Sequence, residues 1–423
     1  MFPKNQKCIA LISVHGDPSA EIGKEEAGGQ NVYVRQVGEA LSRQGWHVDM
    51  FTRLADSEQS TIVQHNENCR TIRIAAGPQK FIPRDELFEY LPTFVQGFLK
   101  FQRQSGIQYP VIHTNYWLSS WVGMQLKKAL SVPQVHTYHS LGAVKYQAVS
   151  TVPLIASTRL DVEKMLLETA ERVVATSPQE QEHMRSLVST KGNIDIIPCG
   201  TDVVHFGSVL REAARHKLGI APDEKVVLYV GRFDPRKGIE TLVRAIGRSQ
   251  LNGSGKLRLI IGGGSRPGQS DGLERERIEA IVAELGIGAL TEFPGRLSPA
   301  VLPTYFGAAD VAVVPSHYEP FGLVAIEAMA CRIPVVASDV GGLQYTVRSG
   351  ETGLLVPPKD EVAFAEAIDR ILLNPSWQQQ LGQAARKHVE DMFSWDGVAR
   401  QLAELYLQLI AESESAKSTP VSA

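Results

Sequence analysis

The chain opens on short apolar runs separated by stretches with helical spacing. CIALISV is followed by NVYVRQVGEALSRQG, in which Val34, Val37, Ala40 and Leu41 make a stripe at 3.6-residue spacing that Gly45 closes. The apolar run HVDMF follows almost at once, and PVIHTNY, VPQVHTYHS and RVVATS repeat the theme. After the loop IPCGTDVVHF and a helical segment around REAARHKLGI, the same grammar restarts. Strands KVVLYVG, LRLIIGGG, LTEFPG, VAVVPS and IPVVAS alternate with helices IETLVRAIGRS, DGLERERIEAIVAELG, SPAVLPTYFGAA and GLVAIEAMA. Apolar strands alternating with helices predict parallel sheets with crossover helices. The pattern therefore predicts two doubly wound, Rossmann-like α/β domains, 1–205 and 206–395. A helix over 396–410 is expected to cross back to the first domain, and the polar stretch 411–423 to be a flexible tail.

Composition narrows the class. A chain of 423 residues is too long for one ordinary core, and 43% hydrophobic with 21% charged residues is the balance of a soluble globular protein. The net charge of −3 creates no field for nucleic acid or an anionic membrane, so any anionic ligand must be caught by local basic residues. No run of 18 apolar residues and no secretory cleavage pattern occurs, which predicts a cytoplasmic protein. Cys8, Cys69, Cys199 and Cys331 are scattered without a CxxC pair and read as reduced, largely buried thiols. Ligands of doubly wound sheets sit at the carboxyl ends of the strands, so the site is expected in a cleft between two facing sheets. There is no GxxxxGK[ST] loop and no GxGxxG fingerprint; GGGSRPG follows a strand without the required spacing, which weighs against an NAD(P) enzyme.

The second half carries the sharper chemistry. In YVGRFDPRKGIETLVRA, Arg232 follows a strand and Lys237 precedes a helix start, with Gly231 and Gly238 leaving the backbone open. Cations beside an exposed helix start can hold a pyrophosphate without metal. In PSHYEPFGLVAIEAMACRIPVVASDVGG, Glu319 and Glu327 lie eight apart across the turn Pro320, Phe321, Gly322, ahead of a small-residue helix opened by Leu323. A carboxylate at such a turn can reach a sugar hydroxyl, and one on the helix can accept both hydroxyls of a ribose. These two motifs resemble the retaining glycosyltransferases of family 4, which have the two-domain GT-B architecture, and the resemblance runs from about residue 8 to about 405. It implies that Glu327 binds the nucleotide ribose, Glu319 lies by the transferred sugar with Phe321, Gly322 and Leu323, and Arg232 and Lys237 hold the diphosphate. It also implies that Gly295 and Arg296 lie against the base, which suits uridine.

The first half should then take the acceptor. Arg84, Lys145 and Arg159 stand in three separate loops or helix starts, with Tyr116 and Ser140 as hydroxyl donors. As a set they resemble the phosphate pocket of two branches of the family, the sucrose-phosphate synthases and the inositol-phosphate N-acetylglucosaminyltransferases of mycothiol synthesis. Both take a phosphorylated acceptor, for which a bidentate arginine clamp is suited. Gly-Gly-Gln at 28–30 resembles the first branch, where the Gln30 amide can donate to and accept from fructose hydroxyls; LGAVKY resembles the second as much. Gly28 and Gly29 are expected to let the helix start at Asn31 close over both sugars. His139 ends a strand and matches the family's catalytic-position histidine, which implies a hydrogen bond to a hydroxyl of the transferred glucose.

The reaction implied is that of a retaining hexosyltransferase, moving glucose from UDP-glucose to fructose 6-phosphate with release of UDP. The expected catalytic set is His139, Arg232, Lys237 and Glu319. No cofactor or metal is expected, ADP-glucose stays open as a donor, and a separate phosphatase is expected to act on the product. A mycothiol-type transferase and a non-catalytic sugar-nucleotide sensor remain as alternatives.

Overall fold

A computed structural model describes residues 7–20, 29–147, 152–319 and 321–418. Gly28 and Pro320 lie outside the described residues. The chain separates into two compact units, one of Met1–Cys199 with Trp395–Ala423 and one of Gly200–Ser394.

The first unit is built on β1 (Cys8–Ile12), β2 (His47–Arg53), β3 (Ile62–Asn66), β4 (Cys69–Ile74), β5 (Ile112–Asn115), β6 (Gln134–Thr137), β7 (Arg172–Ala175) and β8 (Ile194–Ile196). Their order is β3-β4-β2-β1-β5-β6-β7-β8, parallel except for the antiparallel pair β3–β4. β1 is buried along its whole length, as a strand covered by helices on both faces must be. The strand order reverses around β1, between β2 and β5, and that reversal opens a crevice at the carboxyl ends. The registers Ile12↔Thr114 and Asn115↔Thr137 bring the ends of β1, β5 and β6 level there.

The helix Trp395–Ser418 belongs to this unit. Val398, Ala399, Leu402, Leu405, Tyr406 and Leu409 share a core with Val34, Val37, Leu41 and Trp46. The rings of Trp46 and Tyr406 meet edge to face at 5.6 Å, and Arg43 pairs with Asp396 at 2.7 Å. Each large apolar side chain so buried contributes roughly 1.5–3 kcal/mol. The helix continues past 410, through residues the sequence marked as a flexible tail. Bonds four residues apart, Gln408 to Glu412 and Ser415 to the Ala411 carbonyl, extend its turns across that polar stretch.

The second unit carries β9 (Lys225–Val230), β10 (Leu257–Gly262), β11 (Thr291–Gly295), β12 (Val311–Val314), β13 (Val335–Ser338) and β14 (Gly353–Val356), all parallel in the order β11-β10-β9-β12-β13-β14. The reversal falls between β9 and β12, the strands whose following loops hold Arg232 and Glu319. All four cysteines are free; Cys8 and Cys69 are buried, Cys199 and Cys331 half-buried. Among the described residues no helix is long and apolar enough to cross a membrane.

Candidate active site

In the second unit, a short 3-10 turn, Pro235–Lys237, follows β9, and the helix Ile239–Arg248 begins straight after Gly238. Gly238 has φ +66°, and a Cβ there would stand 2.0 Å from the Pro315 carbonyl oxygen. Only glycine lets the turn lie this close to the end of β12. The result is a direct pairing of two residues 82 apart in sequence: Lys237 Nζ lies 2.6 Å from Glu319 Oε2. Arg232 is exposed, and its carbonyl accepts from the Tyr229 hydroxyl. The Gly262–Gly264 run closes the floor beside it: Gly231 N donates to Gly262 O, Gly263 N to Gly295 O, and Gly264 faces the Arg296 side chain. That run, without the dinucleotide spacing, aligns the ends of β9, β10 and β11.

Gly322 caps the helix Leu323–Ala330 with φ +94°; Phe321 is buried against Phe393, and Leu323 is exposed. Glu327 is half-buried on this helix, with no ion pair among the described residues, and burial pushes its carboxyl up to about 7. A desolvated carboxylate short of donors is suited to vicinal hydroxyls.

In the first unit the predicted residues gather around one the sequence reading passed over, His15, just beyond β1. Its ring lies 4.5 Å from that of Tyr116, and burial, then Arg84, His139 and Arg159, lower its pKa to about 3. Arg84 opens a short turn after a loop that the buried Arg53 holds through the carbonyls of Pro78 and Lys80, at 2.7 and 2.6 Å. Arg159 differs from the open clamp expected of it. It is 0% exposed, and three of its N–H groups are engaged: Nε with Glu163 (2.7 Å), Nη1 with the Tyr116 hydroxyl (3.1 Å) and Nη2 with the Ser140 carbonyl (2.6 Å). Glu163 in turn accepts from Gly142 N at 2.8 Å. Nη2 also reaches Ser140 Oγ at 3.5 Å, so Arg159 fixes the loop carrying His139 and Ser140 and keeps one further hydrogen on Nη1. Lys145 lies apart from these bonds, 5.8 Å from the ring of Tyr146.

His139 is half-buried at φ +60°, a backbone region costly for a non-glycine residue. Its ring meets Tyr33 edge-on at 4.8 Å, and Nε2 lies 2.8 Å from Asn115 Oδ1. Burial lowers its pKa to about 3, so the imidazole is neutral at physiological pH. Gln30 stands in the first turn of the helix Gly29–Arg43, where its Nε2 donates to Ser13 Oγ (2.9 Å) and to the Asn115 carbonyl (3.4 Å). Both its donors are engaged, so Gln30 offers an acceptor, where the sequence suggested donor and acceptor together. Gly29 is exposed with open space around its Cα. Among the described residues no three His, Cys, Asp or Glu side chains converge as a metal site requires.

His15 and Asn115 act across the sheet and Arg53 on a distant loop, while Glu163 pairs with Arg159 one helical turn away on the same helix. The strand-end position of His15 and Asn115 is the one cue that could have drawn attention to them.

Residues 27–205 match the description Glycosyltransferase Family 4 and residues 210–388 match Glycosyl transferases group 1. The D-inositol 3-phosphate glycosyltransferase of Corynebacterium efficiens is 36% identical over 407 residues, 94% of each chain. The solved sucrose-phosphate synthase of Thermosynechococcus elongatus is similar at 52% identity and a TM-score of 0.73, over 96% of this chain and 100% of that one. The Anabaena protein HepE, solved with UDP and glucose, shares the fold at a TM-score of 0.66 and 21% identity, over 95% of this chain and 100% of its own.

Proposed function

Because this chain belongs to the family 4 glycosyltransferases of GT-B fold, we propose that it is a retaining hexosyltransferase that moves glucose from UDP-glucose to the 2-hydroxyl of fructose 6-phosphate. The observation that carries this reading is the 52% identity to a sucrose-phosphate synthase over 96% of the chain. Gln30 supports it, as an amide rather than an apolar side chain at the position expected to meet the acceptor. The inositol-phosphate reading is favoured by the 36% identical relatives and remains the second candidate.

Residue roles follow from the local chemistry. Arg232 and Lys237 neutralise charge as it builds on the leaving UDP, the electrostatic term that most often dominates such barriers. Lys237 exchanges Glu319 for a phosphate oxygen when the donor arrives, which frees the Glu319 carboxylate for a sugar hydroxyl. The Glu327 carboxylate takes the ribose diol, and the strand-end backbone at Gly295 and Arg296 takes the base. Arg84, Lys145 and the remaining Nη1 hydrogen of Arg159 hold the acceptor phosphate, with Tyr116 and Ser140 beside it, so that binding energy at a remote group orients the reacting hydroxyl. In front-face attack the C1–O bond to UDP breaks, the C1–O bond to fructose forms, and the acceptor proton passes to the departing diphosphate oxygen. No metal has a part in these steps, and a separate phosphatase would act on the product.

The test is to supply UDP-glucose, ADP-glucose or UDP-N-acetylglucosamine with fructose 6-phosphate, fructose or inositol phosphate, and to measure nucleoside diphosphate release. Release is expected with UDP-glucose and fructose 6-phosphate, undiminished by EDTA. Release confined to inositol phosphate would overturn the assignment.

A further inference from the structure

We propose that Asn115 makes His139 and Gln30 a pair of hydrogen-bond acceptors, so that the sugar hydroxyls meeting them must donate. This rests on the reading above only in taking those hydroxyls to belong to the sugar substrates.

Asn115 is the last residue of β5 and is 1% exposed. Its Nδ2 donates to the Ile12 carbonyl at 3.5 Å, which turns the amide oxygen toward His139. An amide oxygen cannot donate, so the hydrogen in the 2.8 Å contact sits on His139 Nε2. The imidazole is neutral, and the side chains packed near it, Tyr33, His15, His113 and His136, are held uncharged by burial as well. A neutral ring with its hydrogen on Nε2 has its lone pair on Nδ1, and among the described residues Nδ1 has no hydrogen-bond partner.

The backbone carbonyl of the same residue accepts from Gln30 Nε2, whose other hydrogen goes to Ser13 Oγ. That leaves Gln30 Oε1. Side chain and main chain of one residue thus settle which way two others face. Backbone geometry makes the arrangement stiff: Tyr116, the next residue, holds φ +73° and donates its N–H to the Thr137 carbonyl. Asn115 is a positioning residue, acting through His139 and Gln30.

The experiment has two arms. In protein labelled with ¹⁵N-histidine, with His139 assigned from its missing signal in His139→Gln, the proposal expects a proton on Nε2 and none on Nδ1 from pH 6 to 8.5. This readout needs no substrate, so it stands even if the acceptor is not fructose 6-phosphate; a proton on Nδ1 would overturn the inference. In the second arm, Asn115→Asp keeps the shape and the acceptor but places a carboxylate beside the ring, raising the His139 pKa. Protonation then turns Nδ1 into a donor. The kcat of Asn115→Asp with the protein's own substrates should approach the parent's at pH 8.5. It should then fall by up to about tenfold per pH unit below the new pKa, with the parent flat as regards His139. A profile parallel to the parent's at every pH would mean that Asn115 is merely structural.

Discussion

Glu327 shows how a single residue can be held at a cost that binding removes. Its carboxyl is half-buried with no cation paired to it among the described residues, and burial raises it from 4.5 to about 7. The linkage sign follows directly. The unfolded chain ionises this group near its ordinary value and the folded chain only near 7, so stability is lost as pH rises from about 4.5 through 7 and the deficit is full above that. Glu327→Gln should therefore raise stability at pH 8 by about 1–3 kcal/mol and change it little at pH 4.5, measured by urea unfolding at both. The same variant should weaken UDP binding at pH 8 by at least about tenfold, since an amide is a poorer partner for a ribose diol than a carboxylate. Equal stability at pH 8 would show that the group is solvated. The sequence singles out Glu327, Glu319, Lys237 and Arg232 as candidates because the motifs that carry them are local. Asn115 and His15 are not singled out, because their partners come from neighbouring strands. The burial of Arg159 was hidden for the same reason: Tyr116 lies 43 residues away.

Between elements, the decisive joint is the one from β9 through Pro235–Lys237 into the helix Ile239–Arg248. Gly238→Ala would put a methyl 2.0 Å from the Pro315 carbonyl at a left-handed φ, so the turn must shift and Lys237 must leave Glu319. The expected outcome is a folded protein whose kcat falls at least about tenfold, with the KM for the nucleotide sugar raised and that for the acceptor little changed. A parent-like kcat would remove this joint from the mechanism. The parallel strands were legible because strands covered on both faces read as continuous apolar runs, VVLYV and VAVV among them. The edge strand β3 was not: IVQHN alternates half-buried and exposed positions and resembles an ordinary polar loop. The last helix runs to Ser418, beyond the 396–410 that the apolar pattern predicts, with side-chain bonds rather than an apolar stripe along its later turns.

For the molecule as a whole, two sheets each reverse their strand order in the middle; His15 and Tyr116 follow β1 and β5 beside one reversal, and Arg232 and Glu319 follow β9 and β12 at the other. The first unit is completed by a segment that comes after the whole of the second. A chain ending at Ser394 would lack Val398, Leu402, Leu405, Tyr406 and Leu409 from a shared core and leave Val34, Val37 and Trp46 uncovered. His113 would also lose its Tyr406 hydroxyl partner at 2.5 Å. Such a chain should bind a hydrophobic dye strongly and precipitate on mild warming, followed by dye fluorescence and light scattering. Retained solubility with parent-like melting would show the helix to be dispensable.

The late arrival of that helix also sets a timetable. During synthesis the apolar groove awaiting Tyr406 emerges from the ribosome early, while its cover follows only after residues Gly200–Ser394 have been made. At ordinary elongation speeds that interval is roughly 10–40 s, long compared with the folding of a single domain. For that time the nascent first unit carries an open sticky face, so a chaperone that shields apolar grooves on translating ribosomes would have its natural hold there.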